Sequence, residues 1–273
     1  SFREFLKTKT GEHTTHEYQS FLEEYSQSGG FPEPLMVQLE RKDYLVRLFD
    51  AVIYKDIIRR YNVRLPQSLG DLAHYLCSTI ACEYSYHGLS RITGNLNDRT
   101  IRKYLDYLEE SFLFFSIPRF SYKLKIQISS NKKTYCIDNG FITAKGFLFS
   151  KNQGNFYENL VAVVLKEQEL LGKIRLFYWK NTEQEEVDFV IQKNREVTLL
   201  IQVCTTITNE KTRSREIRAL LKASKDLQCP NLLMLTLQEE GDFEEEWFGI
   251  SGRIRYIPLW KWLLQDSGSY ELL

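Results

Sequence analysis

The spacing of apolar residues changes once along this chain, and the change calls for two different kinds of layer. From 17 to 60 apolar side chains recur at helical intervals, with Tyr18, Phe21, Leu22 and Tyr25 followed by Leu45, Leu48, Phe49, Val52, Ile53 and Ile57. Gly29-Gly30-Phe31-Pro32 breaks this segment once. After Gly146 and Gly154 a helix over 156–171 gives way to strand-like runs at 174–179, 186–192 and 197–203. A further helix is expected near 214–227, then strands at 231–236 and 254–257 and a short helix at 260–262. A 3.6-residue period buries one stripe against other helices, whereas short runs rich in β-branched residues bury a sheet. The expected fold is mixed: an α-helical N-terminal part, then an α/β layer built as helix, three strands, helix, strand.

Between these parts lies a third pattern. Pro66 ends the first helical segment, and Leu69, Leu72, Ala73, Leu76 and Ile80 mark the next helix, with Ser68 as its expected N-cap. Leu89 and Ile92 give a short helix stopped at Gly94. Asn97 or Asn95 caps the following one, whose inner stripe is Ile101, Leu105 and Leu108. A strand at 112–117 and a basic loop to a second strand at 134–137 complete the order of a winged helix-turn-helix. The expected divisions are 1–64 for a helical segment, 65–150 for the winged helix and 151–273 for the α/β domain. Glu239 to Glu246 reads as a solvated acidic turn.

Composition narrows the function classes. The 273 residues carry 36 basic and 36 acidic side chains, so no global field favours nucleic acid and any footprint has to be local. One local excess exists: nine basic residues against four acidic ones between Arg91 and Lys133. Arg91, Arg99, Arg102, Lys103, Lys123 and Lys125 are its candidate DNA contacts, placed on the second helix and the wing where phosphates would be met. Docking against another domain or a partner protein is the alternative use of that face. Five cysteines without a CxxC pair fit reduced thiols. No apolar run approaches the roughly 18 residues of a membrane span, so a cytoplasmic chain with no membrane partner is expected. The chain starts without Met, and its first residues read as protein interior, which predicts sequence upstream.

The α/β part holds an ordered set of polar residues: Glu158 on a helix, Asp188 within Glu186-Val187-Asp188-Phe189, and Gln202-Val203-Cys204 on the next strand. Restriction-type nucleases need a helix Glu, a strand Asp and a strand Glu/Asp-x-Lys, because two carboxylates hold a divalent ion and the Lys supports the attacking water. Here the last motif is degenerate. Gln202 lacks charge and Cys204 stands at the usual Lys, leaving Asp188 as the candidate metal ligand and no confident metal site. Lys180 or Lys222 is the candidate replacement cation. Taken singly, Asp188 reads first as a strand-end or turn residue and Glu158 as a surface helix residue, and only the ordered triple favours the metal reading. No GxxxxGK[ST] occurs, so no nucleotide cradle is expected in this chain.

In order along nearly the whole chain, Ser1-Phe2-Arg3-Glu4-Phe5-Leu6, Gly29-Gly30-Phe31-Pro32-Glu33, Tyr54-Lys55-Asp56-Ile57, Tyr135-Cys136-Ile137-Asp138-Asn139-Gly140 and Phe156-Tyr157-Glu158-Asn159 resemble the C-terminal part of an AAA-type P-loop ATPase family of archaea and bacteria. The strings around Tyr104-Leu105-Asp106, Tyr178-Trp179 and Glu186-Val187-Asp188 fit the same series. The resemblance implies a helical lid, a winged helix and a restriction-endonuclease-like PD-(D/E)XK domain, with ATP and Mg²⁺ bound by a domain upstream and no cofactor in this chain. The expected partners are double-stranded DNA, from the local basic excess, together with the chain's own ATPase domain and further copies of itself. Members commonly keep Glu-x-Lys where this chain has Gln202-Val203-Cys204, so the chain is expected to be a non-catalytic regulatory or nucleic-acid-binding region. A metal-dependent nuclease with a rearranged site is the alternative.

Overall fold

A computed structural model describes residues 1–36, 40–147, 153–205 and 210–265. The fold is mixed α/β, with a helical N-terminal part followed by an α/β domain. Two compact units result. One comprises Ser1–Glu12, Phe21–Ile117 and Asn131–Val163, and the other His13–Ser20, Pro118–Ser130 and the chain from Val164 onward. The expected boundary at 150/151 lies outside the described residues.

In chain order the first elements are α1 (Phe2–Leu6), α2 (Thr15–Ser28), α3 (Glu33–Met36) and α4 (Arg41–Ala51), which runs on into a π-helical stretch at Val52–Arg59. Ser1 and Glu4 form a reciprocal capping box that starts α1. Gly29, at φ +73°, ends α2 in a conformation that a side chain disfavours. Next come α5 (Pro66–Ser78), β1 (Glu83–Tyr84), α6 (Tyr86–Ile92), α7 (Asp98–Glu110) and β2 (Phe114–Pro118). The expected cap at Ser68 is corrected: Pro66 opens α5, so Ser68 lies inside its first turn, and Leu65 precedes it without a side-chain bond. Asn97 caps α7 by accepting from the Thr100 N–H at 2.9 Å, and Ile101, Tyr104, Leu105 and Leu108 face inward.

The stretch expected as a basic loop contains a helix, α8 (Leu124–Ser129), and it belongs to the second unit. Then follow β3 (Lys132–Cys136), α9 (Asn139–Lys145) and α10 (Gln153–Leu170). In the first unit β1, β3 and β2 form a sheet in that order, with Glu83 opposite Lys133 across an antiparallel pair. A helix, a short strand, two helices and two more strands follow one another in this unit, and the three strands close a sheet with β3 in the middle. The two-residue β1 was too short to show a period in the sequence.

The second unit is built from β4 (Arg175–Lys180), β5 (Glu186–Lys193), β6 (Glu196–Val203), α11 (Glu210–Leu227), β7 (Leu232–Thr236), β8 (Gly241–Trp247), β9 (Ile250–Pro258) and α12 (Leu259–Leu263). Its sheet runs β4-β5-β6-β7-β9-β8, with β6/β7 and β7/β9 parallel and the other pairs antiparallel. The acidic turn expected at 239–246 is corrected. It is largely the edge strand β8, whose Asp242 pairs with Arg253 and Arg255 on β9, a cross-strand register that the acidic run alone does not reveal. Val190, Leu200, Met234 and Ile254 bury one sheet face together with Leu220 and Leu221 of α11, each side chain contributing about 1.5–3 kcal/mol. At the other edge, the Phe120 N–H donates to the Tyr178 carbonyl at 2.7 Å, so the segment before α8 shields β4. Among the described residues no helix is long and apolar enough to cross a membrane.

Candidate functional site

The face of α6 and α7 keeps only part of the expected cation set together. Arg91, at the end of α6, and Arg99, Arg102 and Lys103, in the first half of α7, are exposed within one unit. The Arg102 guanidinium lies over the Tyr86 ring at 3.7 Å from its centroid, which fixes a long side chain without neutralising it. Lys123 and Lys125 are also exposed, but they flank or lie on α8 in the other unit. Two cations of the basic count turn inward, Arg119 half-buried and Lys133 fully. Arg119 donates to the Lys180 carbonyl, and Lys133 is 2 % exposed with its Nζ 2.9 Å from Glu158.

That ion pair corrects the reading of Glu158. Its carboxylate accepts from Lys133 and, at 2.7 Å, from the Tyr135 hydroxyl, all inside the first unit, so it is neither a plain surface residue nor grouped in one unit with Asp188. The signal was present in the sequence, since Glu158 sits three, four and seven residues before Val161, Ala162 and Leu165 and therefore on the buried stripe of α10.

Next to it the short strings of the resemblance converge into a buried polar knot. Asp138 Oδ2 accepts from the Gly30 N–H at 2.8 Å and Oδ1 from the Gly140 N–H at 2.7 Å. Asn139 donates to the Ser26 and Phe156 carbonyls, while Asn159 donates to the Cys136 carbonyl and to Asn139 Oδ1 and accepts from the Cys136 N–H. Burial holds the Asp138 carboxyl above the usual range, against the pull of the two backbone donors. A Cβ on Gly29 would come within 1.8 Å of Asp138 Oδ1, which is why the approach needs glycine.

In the second unit Asp188 and Gln202 do meet, and they bring a residue the sequence reading missed. Asp188 lies within β5, not at its end. Its N–H donates to Gln202 Oε1 at 3.2 Å, and its Oδ2 accepts from the Val203 N–H at 2.9 Å. Gln202 donates in turn to Glu216 Oε2 of α11 at 2.7 Å, and Arg215 closes on Glu216 Oε1 at 2.5 Å. Asp188, Gln202 and Glu216 are all buried. Burial first, and the Asp188 charge second, raise the Glu216 carboxyl above its usual range, and Glu216 in turn raises the Arg215 guanidinium. Glu216 falls four and seven residues before Leu220 and Ala223, on the buried face of α11, and a charge in that stripe was the available signal. Cys204 is buried, its N–H donating to the Leu235 carbonyl. Neither expected substitute cation is uncommitted: Lys222 pairs with Glu183 and Glu185, and Lys180 with Glu186 at 3.4 Å. Among the described residues no group of three His, Cys, Asp or Glu side chains forms a ready metal site. All five cysteines are unbridged, Cys82 exposed and the others buried.

Comparison with known proteins divides the chain in a similar way. Residues 19–151 match a family described as a domain of unknown function, DUF8612, and residues 153–262 match a second, DUF4143. A protein of Methanocaldococcus jannaschii described as uncharacterised is 33% identical over 97% of this chain and 62% of its own length. An uncharacterised protein of Haemophilus influenzae is 28% identical over 76% of this chain and 52% of its own length. The chain thus spans less than two thirds of either relative. No solved structure matches it.

Proposed function

We propose that this chain is the regulatory, nucleic-acid-binding region of a longer cytoplasmic P-loop ATPase, and that it grips duplex DNA through the basic half of α7 without cutting it. The observation that carries this reading is the exposure of Arg99, Arg102 and Lys103 on the outer face of α7, beside Arg91, while the inner stripe of the same helix is buried. The N-terminal half of the second helix is the part of a helix-turn-helix that enters a groove, and cations there meet phosphates and base edges. The ATPase half of the reading draws on the resemblance of the ordered strings and on the greater length of both relatives, which leaves space for a nucleotide-binding domain. The lack of cleavage draws on Gln202 and Cys204, which supply neither the charge nor the cation of a metal-dependent nuclease.

Fluorescence anisotropy with labelled duplex DNA at about 50 and 200 mM salt tests the grip. Affinity falls steeply with salt, and Arg102→Ala weakens binding to all sequences alike. No binding at the lower salt would overturn the DNA reading. ATP hydrolysis by the full-length protein, measured with and without duplex, tests the ATPase reading, and a full-length protein that hydrolyses no ATP would overturn it.

One observation favours a second reading. Glu216 supplies, from α11, a second carboxylate beside Asp188, and Arg215 a cation, so a divalent ion held by Asp188 and Glu216 would make a rearranged nuclease. Plasmid nicking in Mg²⁺ or Mn²⁺ that both Asp188→Ala and Glu216→Ala abolish would establish it.

A further inference from the structure

A second cationic surface, outside α7, lies on the π-helical stretch and the turn after it. Residues 52–64 carry Lys55, Arg59, Arg60 and Arg64 against the single acid Asp56. All four cations are exposed, while Ile53 and Ile57 bury the opposite face. Among the described residues none of the four makes an ion pair or a side-chain hydrogen bond to an acid, in contrast to the second unit, where Lys180, Arg213, Arg215, Arg218, Lys222, Arg253, Arg255 and Lys261 are all paired.

Geometry places this surface beside the recognition helix. The Tyr61 ring stacks on Tyr107 of α7 at 3.9 Å between centroids and 10° between planes, and its hydroxyl donates to Glu110. Arg60 lies over the Tyr61 ring, 5.4 Å from its centroid. The tyrosine pair therefore fixes the turn against α7 within one unit, and the Tyr61 hydroxyl engages Glu110. A helix dipole accounts for Arg59 and Arg60 in a last turn, but not for Arg64 beyond it. The widening to a π-helix brings residues four and five apart onto one face, so Lys55 lines up with Arg59 and Arg60.

We propose that Lys55, Arg59, Arg60 and Arg64 form a second phosphate-contacting surface, so that a duplex seated on α7 is also held along its backbone by the π-helical turn. Uncompensated cations on a rigid ridge repel one another, and a duplex carrying one phosphate charge per roughly 1.7 Å of axis relieves that repulsion. This rests on the reading of α7 as the recognition helix and extends it to a wider footprint.

Anisotropy titrations with labelled duplex over a salt series, run on the parent chain, Arg59→Ala/Arg60→Ala, Arg59→Lys/Arg60→Lys and Arg102→Ala/Lys103→Ala, test it. Two lost phosphate contacts lower the steepness of log K against log salt by about 1.8 and cost roughly tenfold in affinity at low salt. The double Lys variant keeps the slope, because the contact is one of charge. Circular dichroism melting of each variant checks that these exposed changes leave the fold intact. An unchanged slope in the double Ala variant, with binding lost in Arg102→Ala/Lys103→Ala, overturns the second surface and leaves the α7 reading standing. The reverse pattern overturns the α7 reading. A slope that Lys fails to restore, or a dependence on Arg59 and Arg60 seen with RNA and not with duplex DNA, also overturns the proposal.

Discussion

Asp138 and Asp188 are both buried aspartates whose carboxylates accept backbone N–H groups, yet their surroundings differ. Asp138 takes both its bonds from the backbone N–H groups of Gly30 and Gly140, and it joins segments 108 residues apart. The Asp188 carboxylate also accepts a backbone N–H, that of Val203, but the Asp188 backbone N–H donates to Gln202, whose amide bonds Glu216, and Arg215 closes on that second carboxylate. A carboxylate fixed by backbone donors against glycines is a fastener, because any change in it leaves buried N–H groups without partners. A carboxylate whose charge acts on a second, buried titratable group keeps its chemistry, since that neighbour can take up or release a proton without unfolding the chain.

The comparison breaks most readily at the fastener. Asp138→Ala leaves two buried N–H groups unbonded and costs about 2–5 kcal/mol in urea unfolding. Gly29→Ala forces a Cβ against Asp138 in a left-handed backbone and costs about 3 kcal/mol or more. A loss below about 1 kcal/mol in both would remove the fastener from the structure's logic. The second cluster should instead gain a property. Gln202→Glu with Cys204→Lys adds a carboxylate and a cation beside Asp188, destabilises the metal-free chain by about 1–3 kcal/mol, and makes its melting temperature rise with Mn²⁺ by roughly 5–10 °C near saturation. Calorimetry with and without Mn²⁺ reads both signs, and equal melting in both conditions would show that more than two residues separate this cluster from a metal site.

A smaller effect is expected in titration. Asp188→Asn removes the charge that helps raise Glu216, so NMR of the Glu216 carboxyl shows its midpoint falling towards the ordinary range while the contribution of burial stays. The sign carries over to stability. Asp138 and Glu216 bind their protons more tightly folded than unfolded, so their contribution is full below the ordinary carboxylate range and is lost as pH rises through the raised native values. Unfolding free energy across that window therefore declines less in Asp188→Asn than in the parent. The smallest effect on the fold is that of Arg102→Ala, which shifts the melting temperature by no more than about 2 °C, because its side chain is exposed and stacked only on Tyr86.

Elements with a clean period were legible in the sequence. Ile101, Leu105 and Leu108 placed α7, and the apolar runs placed β4 to β7 to within about two residues. What stayed hidden was set by pairing at long range. The two-residue β1 has no period, β8 shows only acids until Arg253 and Arg255 are set opposite, and the basic stretch before β3 gave no sign of α8. Asp188 and Gln202 were legible as a pair because adjacent strands fix their register. Glu216 was not, because which helix residue lies over them depends on how α11 packs. The partners of Glu158 depend in the same way on where β3 runs.

Hydrogen–deuterium exchange mass spectrometry of the chain with and without duplex DNA at low salt separates the two regions directly. Protection is expected in peptides of α6, α7 and residues 52–64, with β5, β6 and the first half of α11 unchanged. Protection centred instead on peptides containing Asp188, Gln202 and Glu216, with α7 unaffected, would contradict a DNA grip on α7 and would place the nucleic acid on the second cluster.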